Sequence, residues 1–277
     1  MDTTSVGPSS DQRLWLRRFG GSTGQGAEVR LICFPHAGGA ATFFQPVARA
    51  LAPRVDVLAV QYPGRQDRRA ETGVRDIPEL ADRITAVLAE PLPPRVPMAF
   101  FGHSMGAVTA YEVARRLHGA RASSGGDLPF RLFASGRRAP SARRDESVNR
   151  DDGALIEEVS SLGGTEPVLL SDPELRAMVL PALRADYQAI ESYRYSPAAG
   201  EPAPCPVTVL TGDSDPHTTL EEARAWSGHA PEGDCELQEL PGGHFFLVDQ
   251  ATEVLDLLRS RLLPAPAVHA EAGRAAP

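Results

Sequence analysis

The sequence lacks the segments that place a protein in or across a membrane. No apolar run approaches the roughly 20 residues that a membrane-spanning helix needs. The first residues, Met1 to Ser5, contain no basic region followed by an apolar core, which a secretory signal would require. We therefore predict a cytoplasmic protein that does not bind membranes.

Cysteine is scarce, since the 277 residues include three: Cys33, Cys205 and Cys235. They lie far apart and form no CxxC pair, a pattern typical of reduced and mostly buried thiols in a cytoplasmic protein. A catalytic thiol needs a setting that lowers its pKa, such as a helix start or a neighbouring histidine, and none of the three has one. The histidines also lack metal-ligand spacing, so we predict no metal site.

Positive charge is in deficit. The chain has 28 basic and 36 acidic residues, and its formal net charge of -8 argues against a nucleic-acid-binding protein. The length and the 42% hydrophobic content suit one large globular core, with or without a lid. We predict a single domain over residues 12–263, with disordered tails at 1–11 and at 264–277.

Short apolar segments alternate with amphipathic segments along most of the chain, which predicts an α/β fold with a mostly parallel central sheet flanked by helices. The strands are predicted at 29–34, 55–60, 96–101, 130–134, 206–210 and 235–240, and the flanking helices at 42–51, 77–88, 107–117 and 252–263. Chemistry on such a sheet is expected at the carboxyl ends of the strands.

One interval, residues 136–204, breaks this alternation because it contains no strand-like segment. Residues 151–162 have helical spacing, and Ser171-Asp172-Pro173-Glu174 matches a capping box that would start a second helix. Pro181 is expected to kink or split that second helix. An all-helical insertion before the next strand indicates a lid over the site.

The pattern Gly102-x-Ser104-x-Gly106 lies between a predicted strand and a predicted helix, which is the context of a nucleophile elbow. A turn this tight requires nearly side-chain-free neighbours, and it exposes the serine hydroxyl at the sheet edge. The helix that follows points its amino-terminal amides at the same place and favours developing negative charge. Ser104 is therefore the predicted nucleophile.

A serine nucleophile needs a base and a carboxylate that orients the base. His244 follows the last predicted strand directly after Gly242-Gly243 and is the predicted base. Two carboxylates, Asp213 and Asp215, follow the penultimate strand. We favour Asp215 because it has cleared the strand end, whereas Asp213 more plausibly caps the turn. The chain order Ser, Asp, His is the order of an α/β-hydrolase fold.

An oxyanion hole needs two backbone amides aimed at one point. The amide of Met105, at the start of the helix after the serine, is one candidate. The loop after the first buried strand supplies the other, which we assign to Ala37 because Gly38 and Gly39 let that backbone approach closely. The His36 side chain could brace this loop, and His103 is expected to be packed beneath the serine.

Five segments together resemble the type II thioesterases, the stand-alone editing enzymes of polyketide and non-ribosomal peptide synthesis. They are Phe34-Pro35-His36-Ala37-Gly38-Gly39, Gln61-Tyr62-Pro63-Gly64-Arg65, Gly102-His103-Ser104-Met105-Gly106, Gly212-Asp213-Ser214-Asp215 and Gly242-Gly243-His244-Phe245. The resemblance implies hydrolysis of acyl groups from the phosphopantetheine arm of acyl or peptidyl carrier proteins. It also implies a small helical lid and no cofactor, because the arm belongs to the partner.

Carrier proteins of such systems are expected to be acidic, which draws attention to two arginine clusters despite the net negative charge. On this reasoning, five arginines flank the entrance for the arm and steer the partner: Arg65, Arg68, Arg69, Arg137 and Arg138.

Three alternatives stay open from the sequence. The chain could be a small-ester or peptide hydrolase of the same fold, or a non-catalytic binding protein, although such proteins commonly lose a catalytic residue and this one retains all three. It could also catalyse acyl transfer or cyclisation rather than hydrolysis.

Overall fold

The computed structural model describes residues 9–19, 24–124, 127–144, 151–163, 172–197 and 203–263, with side chains omitted for residues 121–124. The statements below concern these residues. The predicted tail 264–277 and most of the predicted tail 1–11 lie outside them. Residues 9–11 lie within them, and Ser9 caps the first helix through a capping box with Gln12. The extent of the two tails stays a prediction.

In the described part of the chain, seven strands form one sheet in the order β1-β3-β2-β4-β5-β6-β7. The strands are β1 (Leu16–Arg18), β2 (Val29–Phe34), β3 (Val55–Val60), β4 (Met98–His103), β5 (Pro129–Ser135), β6 (Val207–Gly212) and β7 (Cys235–Leu240). β1 is antiparallel to β3, and all the other pairings are parallel. The mostly parallel α/β sheet is confirmed. The short antiparallel edge strand was not predicted, since three residues are too few to show a pattern.

Helices cover both faces of the sheet. They are α1 (Ser10–Trp15), α2 (Gln45–Leu51), α3 (Ile77–Ala89), α4 (Met105–Ser124), α5 (Asp152–Leu162), α6 (Pro173–Ser192), α7 (Leu220–Arg224), α8 (Phe246–Asp249) and α9 (Ala251–Leu262). One hydrophobic core joins the sheet to α1, α3, α4 and α7, and a second joins the opposite face to α2, α8 and α9. Because both faces are covered, every residue of β2, β3, β4 and β6 is buried.

The parallel register brings the loops that follow the strands to one edge. Phe34, Gly102 and Ala134 lie side by side on β2, β4 and β5. Further along the same sheet, Gly212 pairs with Leu240 on β6 and β7. The loops after β2, β4, β6 and β7 therefore share the carboxyl edge of the sheet, where chemistry was expected.

Between β5 and β6 the described residues contain helices and no strand, as predicted. Asp172 caps α6 by accepting hydrogen bonds from the amides of Glu174 and Leu175, so the cap is one residue later than the predicted capping box. Pro181 lies inside α6, which continues through it. The expected split is therefore absent, because the flanking turns keep helical geometry.

Pro181 nevertheless marks a change in burial along α6. The turns before it are largely exposed, and Met178 is 60% exposed. The turns after it bury Ala182, Leu183 and Ala185, among others. A Cβ atom added to Gly73 would lie 2.7 Å from the Cβ of Ala185, so this half of α6 packs against the domain without room for another methyl group. Only α5 and the first half of α6 retain the exposed placement expected of a lid.

Candidate active site

The turn between β4 and α4 has the geometry of a nucleophile elbow. Ser104 has a φ of 54°, a left-handed conformation that costs a non-glycine residue energy and is typical of functional turns. A Cβ on Gly102 would lie 2.2 Å from the carbonyl oxygen of Gly106, and one on Gly106 would lie 2.0 Å from that of Phe34. The Ser104 amide donates to the Ser135 carbonyl at 2.8 Å, which ties the turn to β5.

His244 and Asp215 form a buried pair on the loops after β7 and β6. The Nδ1–H of His244 donates to the Asp215 carboxylate, with distances of 2.9 Å to Oδ2 and 3.1 Å to Oδ1. His244 is 5% exposed and Asp215 is 8% exposed. A proton held on Nδ1 leaves Nε2 as the basic nitrogen. Asp215 also accepts a hydrogen bond from the His217 amide at 2.8 Å, which fixes its orientation.

Asp213, the other candidate carboxylate, has a different position. It is exposed, and it accepts hydrogen bonds from the Ser214 hydroxyl at 2.7 Å and from the Gly242 amide at 3.0 Å. These two bonds lower the pKa of Asp213. The structure therefore places Asp215 against the imidazole and leaves Asp213 as the cap of the turn.

The residue that precedes the serine, His103, packs beside the His244 ring. The His103 ring is fully buried, and its centroid lies 5.0 Å from that of the His244 ring. Ser104 itself is only partly buried, whereas its neighbours on both sides are buried. The elbow and the His244–Asp215 pair thus lie on neighbouring loops at the carboxyl edge shared by β4, β6 and β7.

The loop after β2, residues 35–41, is called the oxyanion loop below. Three of its six backbone amides are already used: Gly39 donates to the His36 carbonyl, Gly38 to the Asp186 carboxylate and Ala41 to the Gln61 side chain. Within the described residues, the amide of Ala37 donates to no acceptor, and the same holds for those of His36, Ala40 and Met105, the first residue of α4. The amides of Ala37 and Met105 are therefore free to bind an oxyanion, and the choice of Ala37 from this loop stays a prediction.

Two imidazoles beside the site are held neutral. Burial, together with the nearby His244, lowers the pKa of His36 to about 3 and lowers that of His103 well below its usual value. His36 packs edge-on between Phe43 and Phe245, with ring centroids 4.7 and 4.8 Å away. Both rings serve as packing under the site, and of these three imidazoles His244 is the one with a carboxylate partner.

The segment Gln61 to Arg65 supports the oxyanion loop, a role that the sequence did not indicate. The Gln61 side chain accepts from the Ala41 amide at 2.9 Å. The Tyr62 hydroxyl donates to the Pro35 carbonyl at 3.2 Å, and the Arg65 guanidinium donates to the Gly39 carbonyl at 2.9 Å. Three side chains of one short segment therefore hold three points of the neighbouring loop.

The proposed arginine docking surface is corrected by burial. Four of its five members are 3–8% exposed: Arg65, Arg68, Arg137 and Arg138. Arg68, for example, pairs with Glu71 through bonds of 2.6 and 2.7 Å and stacks on Trp15 at 4.2 Å. Guanidinium groups that are engaged inside the fold cannot meet a partner's surface. Of the five, Arg69 alone is exposed.

A further contact, also not predicted, joins α5 to the site. Nε2 of His217 lies 3.0 Å from a carboxylate oxygen of Glu158 on α5. The His217 ring centroid is 5.3 Å from that of His244. Burial and the nearby His244 lower the pKa of His217 below its ordinary value. Helix α5 is thus anchored directly beside the His244–Asp215 pair.

His229 lies in a separate buried network on the α4 side of the sheet. Its Nδ1 is 3.0 Å from the Tyr111 hydroxyl, and its Nε2 is 2.7 Å from the Ser141 hydroxyl. Burial lowers its pKa to about 4.

Within the ranges that the structure describes, no cluster of three or more His, Cys, Asp or Glu residues could hold a metal ion, and no helix is long and apolar enough to span a membrane.

Comparison with known proteins places this geometry among enzymes. A model of the thioesterase domain matches residues 29–262. A probable cadicidin biosynthesis thioesterase of Streptomyces griseus is 47% identical over 264 residues, which cover 95% of this chain and 68% of that protein. Thioesterase PikA5 of Streptomyces venezuelae is 44% identical over 257 residues, covering 91% and 87% of the two chains. A solved structure of the type II thioesterase BorB, from the borrelidin biosynthetic cluster, aligns with a TM-score of 0.80 at 46% identity, over 90% of this chain and 98% of that chain.

Proposed function

The chain is a type II thioesterase of the thioesterase family, and we propose that its substrates are acyl groups carried on phosphopantetheine arms. The arms belong to acyl or peptidyl carrier proteins of polyketide or non-ribosomal peptide synthesis, and the enzyme removes stalled or incorrect acyl groups. The observation that supports the chemistry is the buried His244–Asp215 hydrogen bond of 2.9 Å beside the Ser104 elbow.

In the acylation step, Nε2 of His244 takes the proton of the Ser104 hydroxyl while Oγ attacks the thioester carbonyl carbon. The carbonyl oxygen becomes an oxyanion, which the amides of Ala37 and Met105 bind. Asp215 stabilises the imidazolium cation that forms. The C–S bond then breaks, and the sulfur leaves as the thiol of the arm after taking the proton from His244.

In the deacylation step, His244 removes a proton from water, and the hydroxide attacks the Ser104 ester. The same two amides stabilise the second oxyanion. When the C–O bond to Ser104 breaks, His244 returns the proton to Oγ and the free carboxylic acid is released. A thiol leaves more readily than an alcohol, so we expect acylation to be fast and the acyl-enzyme to accumulate. These steps use only side chains, amides and water.

The decisive experiment is mass spectrometry of several acylated carrier proteins incubated with the wild type and with Ser104→Ala. We expect the wild type to release acyl groups at least about 10³-fold faster than the variant, since loss of the nucleophile removes most of the rate enhancement. Equal rates for the two proteins would contradict the proposal.

A parallel assay with a p-nitrophenyl ester separates the substrate classes. A carrier-protein thioesterase should show a higher kcat/KM on the acyl-carrier substrate than on the simple ester. A clear preference for the simple ester would favour a general ester hydrolase instead.

A further inference from the structure

We propose that Asp186 is a positioning residue for the oxyanion hole, acting together with Arg65. Asp186 lies on the buried half of α6, so this pair ties the second lid helix to the loop that carries the Ala37 amide. The proposal rests on the serine mechanism proposed above, and it assigns Arg65 to the site's interior rather than to a partner surface.

The Asp186 carboxylate contacts both partners through short hydrogen bonds. Its Oδ2 accepts from the Gly38 amide at 2.7 Å and from Nη1 of Arg65 at 2.8 Å, and its Oδ1 accepts from Nη2 of Arg65 at 2.8 Å. Nη1 of Arg65 also donates to the Gly39 carbonyl at 2.9 Å. The pair therefore holds an N–H and a C=O on two consecutive residues of the oxyanion loop.

These contacts leave little freedom at Ala37. The Tyr62 hydroxyl holds the Pro35 carbonyl on one side of it, and Asp186 holds the Gly38 amide on the other. The loop also touches α6 directly, since a Cβ on Gly38 would lie 2.5 Å from Cδ1 of Leu183. Because an oxyanion donor must lie about 2.7–3.1 Å from the oxygen it binds, small movements of this loop should change catalysis.

Burial of the pair indicates a role beyond stability. The side chains of Arg65 and Asp186 are 7% and 3% exposed. A buried ion pair loses most of its Coulombic gain to desolvation, and apolar residues can often replace it without loss of stability. Here both charged groups also form hydrogen bonds with the backbone of the oxyanion loop, which an apolar pair could not form.

The test compares Asp186→Asn and Arg65→Lys with the wild type on a small acyl thioester that needs no carrier protein. Asparagine keeps the size of the side chain but turns an N–H donor toward the guanidinium. Lysine keeps the charge but cannot donate to both oxygens in a fork. We expect kcat to fall about 10- to 100-fold for Asp186→Asn, with a smaller fall for Arg65→Lys and with KM within about 3-fold of the wild type.

The readout specific to positioning is the inhibition constant of an alkyl boronic acid, whose tetrahedral adduct on Ser104 places an oxygen in the oxyanion hole. In each variant this constant should rise by the factor by which kcat falls, because both measure binding of the same oxygen. Fluorophosphonate titration of Ser104 corrects every rate for the fraction of folded enzyme.

Asp56→Asn is the matched control. Asp56 is also a buried carboxylate, bonded to Arg30 at 2.9 Å and to Arg18 at 2.8 Å, but it lies at the amino ends of the strands, far from the site. The Asp56→Asn substitution should lower Tm but leave kcat per active site and the inhibition constant of the boronic acid unchanged.

The proposal is overturned if Asp186→Asn lowers Tm like Asp56→Asn yet keeps both the wild-type kcat and the wild-type inhibition constant. If Asp186→Asn does not fold, Arg65→Lys decides by the same two measurements. A wild type that hydrolyses the small thioester but no acyl-carrier substrate refutes the proposed substrate alone. A wild type with no turnover of either substrate refutes the serine mechanism and this proposal with it.

Discussion

Replacing Gly106 by alanine should disable the enzyme through one methyl group. Gly106 is the second residue of α4, where the helix starts against the end of β2. The added Cβ would lie 2.0 Å from the Phe34 carbonyl oxygen and 2.7 Å from that of Pro35. Carbon and oxygen atoms that are not bonded stay about 3.0 Å or more apart, so the backbones of β2 and α4 must separate by about 1 Å.

This separation would move the nucleophile and one oxyanion-hole amide away from the other oxyanion-hole amide. Ser104 and the Met105 amide belong to the start of α4, whereas Ala37 lies on the loop that follows β2. A misplacement of about 1 Å costs on the order of 100-fold in rate, so we expect kcat/KM on a small acyl thioester to fall by at least that factor. Overpacking should also cost about 1–3 kcal/mol of unfolding free energy, which corresponds to a Tm lower by about 2–4 °C per kcal/mol.

Gly119→Ala supplies the control within the same helix. No atom lies within 4 Å of a Cβ added at Gly119, and alanine favours an exposed helix interior over glycine by about 0.5–1 kcal/mol. This variant should have a wild-type rate and an equal or higher Tm. If Gly106→Ala shows the rate and Tm of Gly119→Ala, the close contact between β2 and α4 does not constrain the elbow.

Three further outcomes follow from burial. Folding lowers the pKa of His229 from 6.5 to about 4. The free energy of unfolding therefore decreases as the pH falls from about 6.5 toward 4, by up to about 3 kcal/mol. Urea unfolding of His229→Gln over this pH range should show a smaller decrease than the wild type. Leu183→Ala removes a 4% exposed side chain of α6 and should cost about 2–5 kcal/mol, whereas Met178→Ala on the exposed half should stay within about 0.5 kcal/mol in the same unfolding assay; equal effects would contradict the division of α6. Burial raises the pKa of the Cys33 and Cys205 thiols, so iodoacetamide should leave both unmodified until urea unfolds the protein, and labelling under native conditions would contradict their burial.

Sequence patterns of short range predicted most of the architecture. The strands at 29–34, 55–60 and 235–240 have the predicted bounds. The first two are buried, mainly apolar segments whose ends are marked by a change of polarity. The third alternates apolar and polar residues, as a half-buried strand at the sheet edge does. The elbow was also readable, since few contexts other than a tight strand-to-helix turn require Gly102 and Gly106 around a serine.

Some errors had equally local causes. α1 and β1 are too short to show a repeating pattern, and they were missed. Pro181 was expected to kink or split a helix; the split is absent, because α6 is continuous through it. A local pattern reports a preference, and burial of one helix face can outweigh it.

The arginines show where residue type misleads. An arginine within the sequence is more often a surface residue, and nothing in the composition distinguishes Arg65 and Arg68 from the exposed Arg69. The Arg65 guanidinium is buried against Asp186, which is 121 residues away in the chain, and that of Arg68 stacks on Trp15. Only the folded chain brings the Asp186 carboxylate of α6 to the loop after β3.

The chemistry therefore has two sources. The residue types and their order along the chain determined the α/β class, the serine nucleophile and its candidate base and acid, because these depend on local turns and on which strand each residue follows. Three contacts depend on side chains from separate parts of the chain. They are the hydrogen bond of His244 to Asp215, the support of the oxyanion loop by the segment Gln61 to Arg65, and the attachment of α5 through Glu158. Such contacts form only when the strands and helices pack together, because each polar group that becomes buried then needs a hydrogen-bond partner.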